Sequence, residues 1–309
     1  AMRILPIVLA NLANQEIMVI EVFKNSIVTH GNPRAIVGSI LYSLAVSYFL
    51  KADVLPDYPN EIITIIAKEL KSVAALINYL EDKGLSAWLD RWNSTMSVGF
   101  SQVFQQTVEE TLELLRYAYK SIAANTNNTE VFKKLGALDK YTRGAGHISA
   151  VAALFMATKY VYEAPIHDVY ECVNMLGSDT DTIGLMCGSM IGSYIGFEQI
   201  PNNLRRVQDN QYLLDCAEAL LYQKTAKINS PNSAGCLYPA HSSKRPIDLT
   251  TLSVDDEIRL PSLGVGVVSS VSEQNTITTG KSVLIVEAEF EIGQSCKFSK
   301  VISKDKANQ

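Results

Sequence analysis

The stretch GSDTDTIGLMCGSMIGSYIG, Gly177 to Gly196, alternates two aspartates with two threonines and then runs into a charge-free apolar segment. From Ile183 onward Gly184, Gly188, Gly192 and Gly196 recur every four residues, which sets them on one face of a helix. Each interior glycine costs a helix about 1 kcal/mol relative to alanine, so the spacing predicts a compensating face where a neighbouring backbone packs closely. Met186, Ile191, Tyr194 and Ile195 would pack around it. A membrane-dimer motif looks similar, but the uncharged run from Thr182 to Phe197 is shorter than the roughly 20 residues a bilayer span needs. Length supports a helix buried in a globular body.

The charged end of the stretch admits two readings. Asp179, Asp181 and Thr182 stand where helix N-caps stand, and carboxylates there suit the positive end of the helix dipole. One cap needs one side chain, however, and two carboxylates crowded at the mouth of a buried helix repel each other unless a cation holds them. Hard oxygen donors of this kind suit magnesium, calcium or manganese rather than zinc. A doubled cap and a metal site both remain open on the local chemistry.

Helical periodicity dominates up to about residue 228, most clearly in segments 34–52, 60–84, 101–125, 149–164 and 209–227. The expected body is all-α over residues 1–228. Ile228 to Pro246 is rich in Ser, Pro, Asn and Gly, which marks a linker over 229–246. From 247 to 303 the pattern alternates, favours β-branched residues and breaks at Gly and Asn-Thr turns, as expected of a small all-β barrel of about five strands. Residues 304–309 read as a disordered tail.

Composition narrows the function. Hydrophobic residues make up 47% and charged residues 19%, enough apolar material for a sizeable core. A net charge of −5 without a basic cluster argues against a nucleic-acid binder working by general electrostatics. The five cysteines, Cys172, Cys187, Cys216, Cys236 and Cys296, show no CxxC or Cys/His spacing, so they read as thiols of a reducing, cytoplasmic compartment. The apolar N-terminus lacks the h-region and cleavage site of a signal peptide, and no membrane association is expected.

Three segments together resemble the ADP-ribosylglycohydrolase family: the Asp-Thr-Asp-Thr segment opening a Gly-rich helix at 179–196, the Ala-Met-Arg helix at Ala1 to Asn11, and the Thr-His segment followed by a helix at Val28 to Val46. The resemblance covers about residues 1 to 205. It implies an all-α fold holding two magnesium ions in a cleft, and hydrolysis of the bond between ADP-ribose and a modified protein or small molecule. By matching positions, Asp179, Asp181 and Thr182 would be metal ligands, His30 would line the ADP-ribose site, and Gly144 and Gly146 would stand in a loop near the substrate. Ser178 replaces the glycine that precedes the Asp-Thr-Asp-Thr run in the family. The family's remaining ligands and its catalytic acidic residue precede Ala-Met-Arg. A sequence starting at Ala1-Met2-Arg3 is therefore expected to be a fragment of a longer enzyme, with little activity alone. The alternative expectation is an inactive member that binds ADP-ribose or a protein. The C-terminal segment Ser253 to Val271 resembles SH3-like or tudor-like barrels, with Asp255-Asp256 and Leu263 to Gly266 in the matching places, which implies a protein partner. Gly264 and Gly266 equally suit a tight strand bend.

Overall fold

A computed structural model describes residues 2–75, 84–159, 161–162, 165–205, 210–221, 238–239, 247–260, 263–276, 280–291 and 295–303. The chain divides into two compact units, residues 1–206 with 217–224, and residues 207–216 with 225–309.

The first unit is helical: α1 (Leu5–Ala10), α2 (Gln15–Ile27), α3 (Pro33–Lys51), α4 (Pro59–Ala74), α5 (Ser86–Thr95), α6 (Phe100–Ala123), α7 (Asn128–Leu135), α8 (Gly146–Lys159), α9 (Pro165–Asn174), α10 (Thr180–Ile195) and α11 (Asn202–Arg205). A further helix, α12 (Asn210–Leu221), follows. The end of the helix expected over 60–84 falls at residues 76–83, outside the described residues.

Two helices form the centre because they are apolar on every side. In α8 every residue from His147 to Thr158 is buried, and in α3 burial extends through nearly the whole length. They pack along one another, and α2, α4, α6 and α10 close around them with one apolar face each. By length and composition α3 would also cross a membrane, but 78% of that apolar window is buried inside the helical unit. Phe23 of α2, Trp88 of α5 and Phe100 of α6 meet edge to face, with centroid distances of 4.9 to 5.7 Å, and tie three helices together.

Among the described glycines, the tightest approach to backbone lies between α3 and α8. A Cβ placed on Gly38 would stand 2.3 Å from the carbonyl carbon and oxygen of Gly146, and one on Gly146 would stand 3.0 Å from the Cα of Ala35. The glycines of α10 serve differently from the expectation. Only Gly184 is tight, its Cβ position lying 2.6 Å from a Val173 methyl of α9, and Gly188 has ordinary room beside Val169. Gly192 faces open space, while Gly196 is the helix C-cap at φ 74°. The close backbone contact predicted for α10 is thus a contact with the valines of α9.

Cys172 and Cys187 are buried and Cys216 and Cys296 half-buried, while Cys236 lies outside the described residues.

The second unit carries a five-stranded antiparallel meander, β1 (Tyr238–Pro239), β2 (Glu257–Leu260), β3 (Gly264–Asn275), β4 (Lys281–Phe290) and β5 (Ser295–Ser303), paired in chain order. The sheet curls into a half-barrel. Ile258, Val268, Val286, Ala288 and Phe290 form its core. A bulge between Val268 and Ser270 bends β3. Gly264 takes φ 82° at the turn into β3, and Gly266 makes room for the Phe290 ring, which would lie 2.7 Å from an added Cβ. Within the stretch expected as linker, Tyr238 and Pro239 pair with Arg259 and Ile258; the rest of it, and the expected tail at 304–309, lie outside the described residues.

Candidate functional site

Three helices begin at one place in the helical unit. The first residues of α3 (Asn32, Arg34, Ala35), of α8 (Gly144 to Gly146) and of α10 (Asp179 to Asp181) line a single cavity of about 820 Å³. His30, Lys140, Tyr141, Arg143, Gly177 and Ser178 complete its wall. A helix N-terminus presents unpaired N–H groups and a partial positive charge, so three of them facing one space favour an anionic ligand. The volume suits a nucleotide-sized molecule.

The cavity wall is shaped by local chemistry. Asn32 caps α3 by accepting from the Arg34 amide at 2.9 Å, and Pro33 occupies the first turn, where its missing N–H costs nothing. The loop before α8 is held by Thr142, which donates to the Gly136 carbonyl at 2.8 Å, and by Asp139, which accepts from the Tyr141 amide at 2.8 Å. Arg143 reaches across to the Gly177 carbonyl at 3.2 Å and joins this loop to the one before α10. Lys140 lies over the Tyr141 ring, 4.6 Å from its centroid.

The aspartates are brought together at the start of α10. Asp179 occupies the N-cap position, and its carbonyl accepts from Ile183 at 3.0 Å, yet its side chain makes no cap hydrogen bond. The doubled-cap reading therefore fails for Asp179. Its carboxylate instead receives the Ser149 hydroxyl of α8 at 3.4 Å and interacts with Asp181 and the Thr182 hydroxyl. Burial pushes the Asp179 carboxyl above its ordinary range, its hydrogen bond with Asp181 adding to the rise, while the same bond holds Asp181 below that range. Asp179 is half-buried and Asp181 exposed. Thr182 does not line the cavity; it supports Asp179 from the first turn. The extra hydroxyl of Ser178 turns back to the Met175 carbonyl at 2.8 Å and leaves the site alone.

These oxygens match a hard divalent cation in kind, since a cation between the carboxylates would offset their mutual repulsion. Among the described residues no group of three or more His, Cys, Asp or Glu side chains converges to hold a metal.

His30 is exposed on the cavity wall, and its neighbours explain its placement. Arg3 donates from Nε to the Asn25 side chain at 2.9 Å, and from Nη2 to the Asn25 carbonyl and the Thr29 hydroxyl, both at 3.0 Å. Thr29 Oγ1 in turn lies 2.9 Å from His30 Nδ1. A hydroxyl that accepts from Arg3 has its own proton to give to Nδ1, an arrangement that suits Nε2 as the protonated nitrogen. Two segments far apart in sequence thus form one network that orients the ring.

Gly144 and Gly146 both line the cavity. Gly146 carries a second duty at the α3–α8 crossing, which any side chain would obstruct. Sequence reasoning missed Arg34, Lys140, Tyr141 and Arg143. The signal was present in the segments NPRA and DKYTRGAG, which put charge directly before two apolar helices.

The model of the ADP-ribosylglycohydrolase family matches residues 1–229. The chain belongs to this family. That assignment covers the whole cavity wall, and the family's activity is hydrolysis of ADP-ribose linkages. No curated protein matches the chain.

Proposed function

We propose that the cavity binds the ADP-ribosyl part of an ADP-ribosylated protein or small molecule and that the site hydrolyses its glycosidic bond with magnesium. The observation that carries the reading is the Asp179 carboxylate: it occupies an N-cap position without capping, and is held toward Asp181 and the cavity that three helix N-termini share. Asp179 and Asp181 would hold the metal, with Thr182 steadying Asp179. Bound there, magnesium supplies positive charge for the ribose hydroxyls beside the scissile carbon and for a water that attacks it.

The chain's own residues do the rest. The N-terminal amides of α3 and α8 and the His30 ring face the diphosphate, and their fixed positions favour it without reorganisation. The Ser149 hydroxyl of α8 gives the Asp179 carboxylate a partner from outside α10.

The test is thermal denaturation with and without magnesium, paired with release of ADP-ribose from arginine- and serine-linked ADP-ribosyl peptides. Magnesium should stabilise the native protein and leave an Asp179→Asn, Asp181→Asn double variant unmoved. Release should require both the metal and the pair. A double variant that binds magnesium and hydrolyses as the native protein does sinks the proposal. Tight ADP-ribose binding without metal or turnover would instead identify a binding protein.

A further inference from the structure

Arg34, the second residue of α3, lines the large cavity and also a neighbouring one of about 410 Å³ bounded by Trp92, Met96, Val98 and Glu110. Its guanidinium meets the Glu110 carboxylate of α6 three times: Nε to Oε2 at 3.3 Å, Nη2 to Oε1 at 3.1 Å and Nη2 to Oε2 at 3.2 Å. Behind Glu110 lies His147 of α8, whose side chain has no solvent exposure and whose Nε2 is 3.4 Å from Glu110 Oε1. Neither ring nitrogen of His147 makes an aligned hydrogen bond among the described residues.

As a stabilising device this arrangement makes little sense. Arg34 and Glu110 are about half exposed, and ion pairs of that kind contribute roughly 0–1 kcal/mol. A buried imidazole without an aligned partner costs more than that, about 1–3 kcal/mol. What the arrangement does achieve is direction. Glu110 engages Nε and Nη2, which fixes the plane of the guanidinium and leaves Nη1 without a partner among the described residues. The other two cations of the wall are engaged differently, Arg143 on a carbonyl and Lys140 over a ring.

We propose that Arg34 is a specificity-determining residue that takes a phosphate-type anion of the substrate through Nη1, and that Glu110, backed by His147, is its positioning residue. The inference rests on the ADP-ribosyl reading of the cavity but concerns residues that reading does not need.

The test is metal-free binding, with chelator present, of ADP-ribose, ADP and adenosine to the native protein and to Arg34→Ala, Arg34→Lys and Glu110→Gln variants of unchanged thermal stability. A charge-assisted hydrogen bond of about 1.5–3 kcal/mol corresponds to a loss of roughly 10- to 150-fold. Arg34→Ala should lose that much for ADP-ribose and ADP and nothing for adenosine. Arg34→Lys should recover only part of it, since an ammonium lacks the planar fork. Glu110→Gln should fall between, raising KM for an ADP-ribosyl peptide while leaving kcat unchanged, a split that a merely structural role would not produce. Undiminished ADP binding by Arg34→Ala overturns the proposal and leaves the hydrolase reading intact. A native protein that binds neither ADP-ribose nor ADP, with chelator or with magnesium, overturns both.

Discussion

Replacing Gly38 with alanine should destabilise the helical unit although alanine is the better helix former. The added Cβ would stand 2.3 Å from the Gly146 carbonyl carbon and oxygen and 2.6 Å from the His147 nitrogen. Carbon contacts settle near 3.5–4.0 Å, so the overlap exceeds roughly 1 Å and falls on backbone that has no rotamer to change. Overpacking costs about 1–3 kcal/mol, and a backbone obstruction between two central, largely buried helices belongs at the top of that range. Alanine returns about 1 kcal/mol of helix propensity, which leaves a net loss of about 2 kcal/mol. For a unit of about 200 residues that lowers Tm by roughly 4–8 °C. The internal control is Gly192→Ala in α10, where an added Cβ meets nothing within 4 Å. There only the propensity gain of about 1 kcal/mol remains, and Tm should rise by about 2–4 °C. Differential scanning calorimetry of both variants decides the matter. A Gly38→Ala protein as stable as the native one would refute the claim that backbone contact sets the α3–α8 spacing, and so the width of the cavity that both helices line.

Thr29→Val removes the hydroxyl between Arg3 and His30 at nearly constant volume; ADP-ribose affinity should fall several-fold with Tm nearly unchanged, measured by calorimetry. Burial pushes the His147 imidazole below its ordinary value of 6.5, Glu110 pulling it partly back up and Arg34 acting against protonation. The unfolded chain therefore binds the proton more readily than the folded one, and stability should fall as pH drops from 6.5 toward the depressed folded value. Urea midpoints across pH 4.5–7.5 check this, and a His147→Gln variant should flatten the slope. In the second unit the Lys300 ammonium, 2.8 Å from Asp248 Oδ1, and the Thr250 amide and hydroxyl hold Asp248 down to about 2. That contribution is complete above the ordinary carboxylate range and is lost as pH falls through about 2, so a Lys300→Met variant should shift the Asp248 titration, followed by NMR, upward.

Residues with a strong local signature were legible in the sequence, and those defined by a crossing were not. The apolar runs of α3 and α8 declare burial because a helix without a polar face has nowhere else to go. The Asp-Thr-Asp-Thr segment drew attention because two neighbouring carboxylates carry an electrostatic cost that a single cap does not need, and both Asp179 and Asp181 line the cavity. The β-branched alternation after residue 247 likewise foretold the antiparallel unit. Gly38, by contrast, sits in an ordinary apolar helix, and its partner Gly146 is 108 residues away. The glycines of α10 gave the stronger periodic signal and carry the looser contact. Periodicity fixes which residues share a face, but not what meets that face. Arg34 and Glu110, 76 residues apart, were invisible for the same reason.

The dual position of Gly146 links stability to recognition. Because the α3 and α8 backbones touch at Gly38 and Gly146, the first turns of both helices stand side by side, and their free N–H groups address one space instead of two. The third N-terminus, that of α10, is placed there by packing against both helices, and it brings the negative pair Asp179 and Asp181 to a wall that also carries Arg34, Lys140 and Arg143. Opposite charge is thereby segregated within one cavity, the arrangement needed by a ligand that is anionic at one part and cation-bridged at another. A cavity lined by helix N-termini alone would hold any phosphate. Under the reading proposed above, the carboxylate pair would hold the cation while the helix N-termini receive the phosphates, two parts of one ligand.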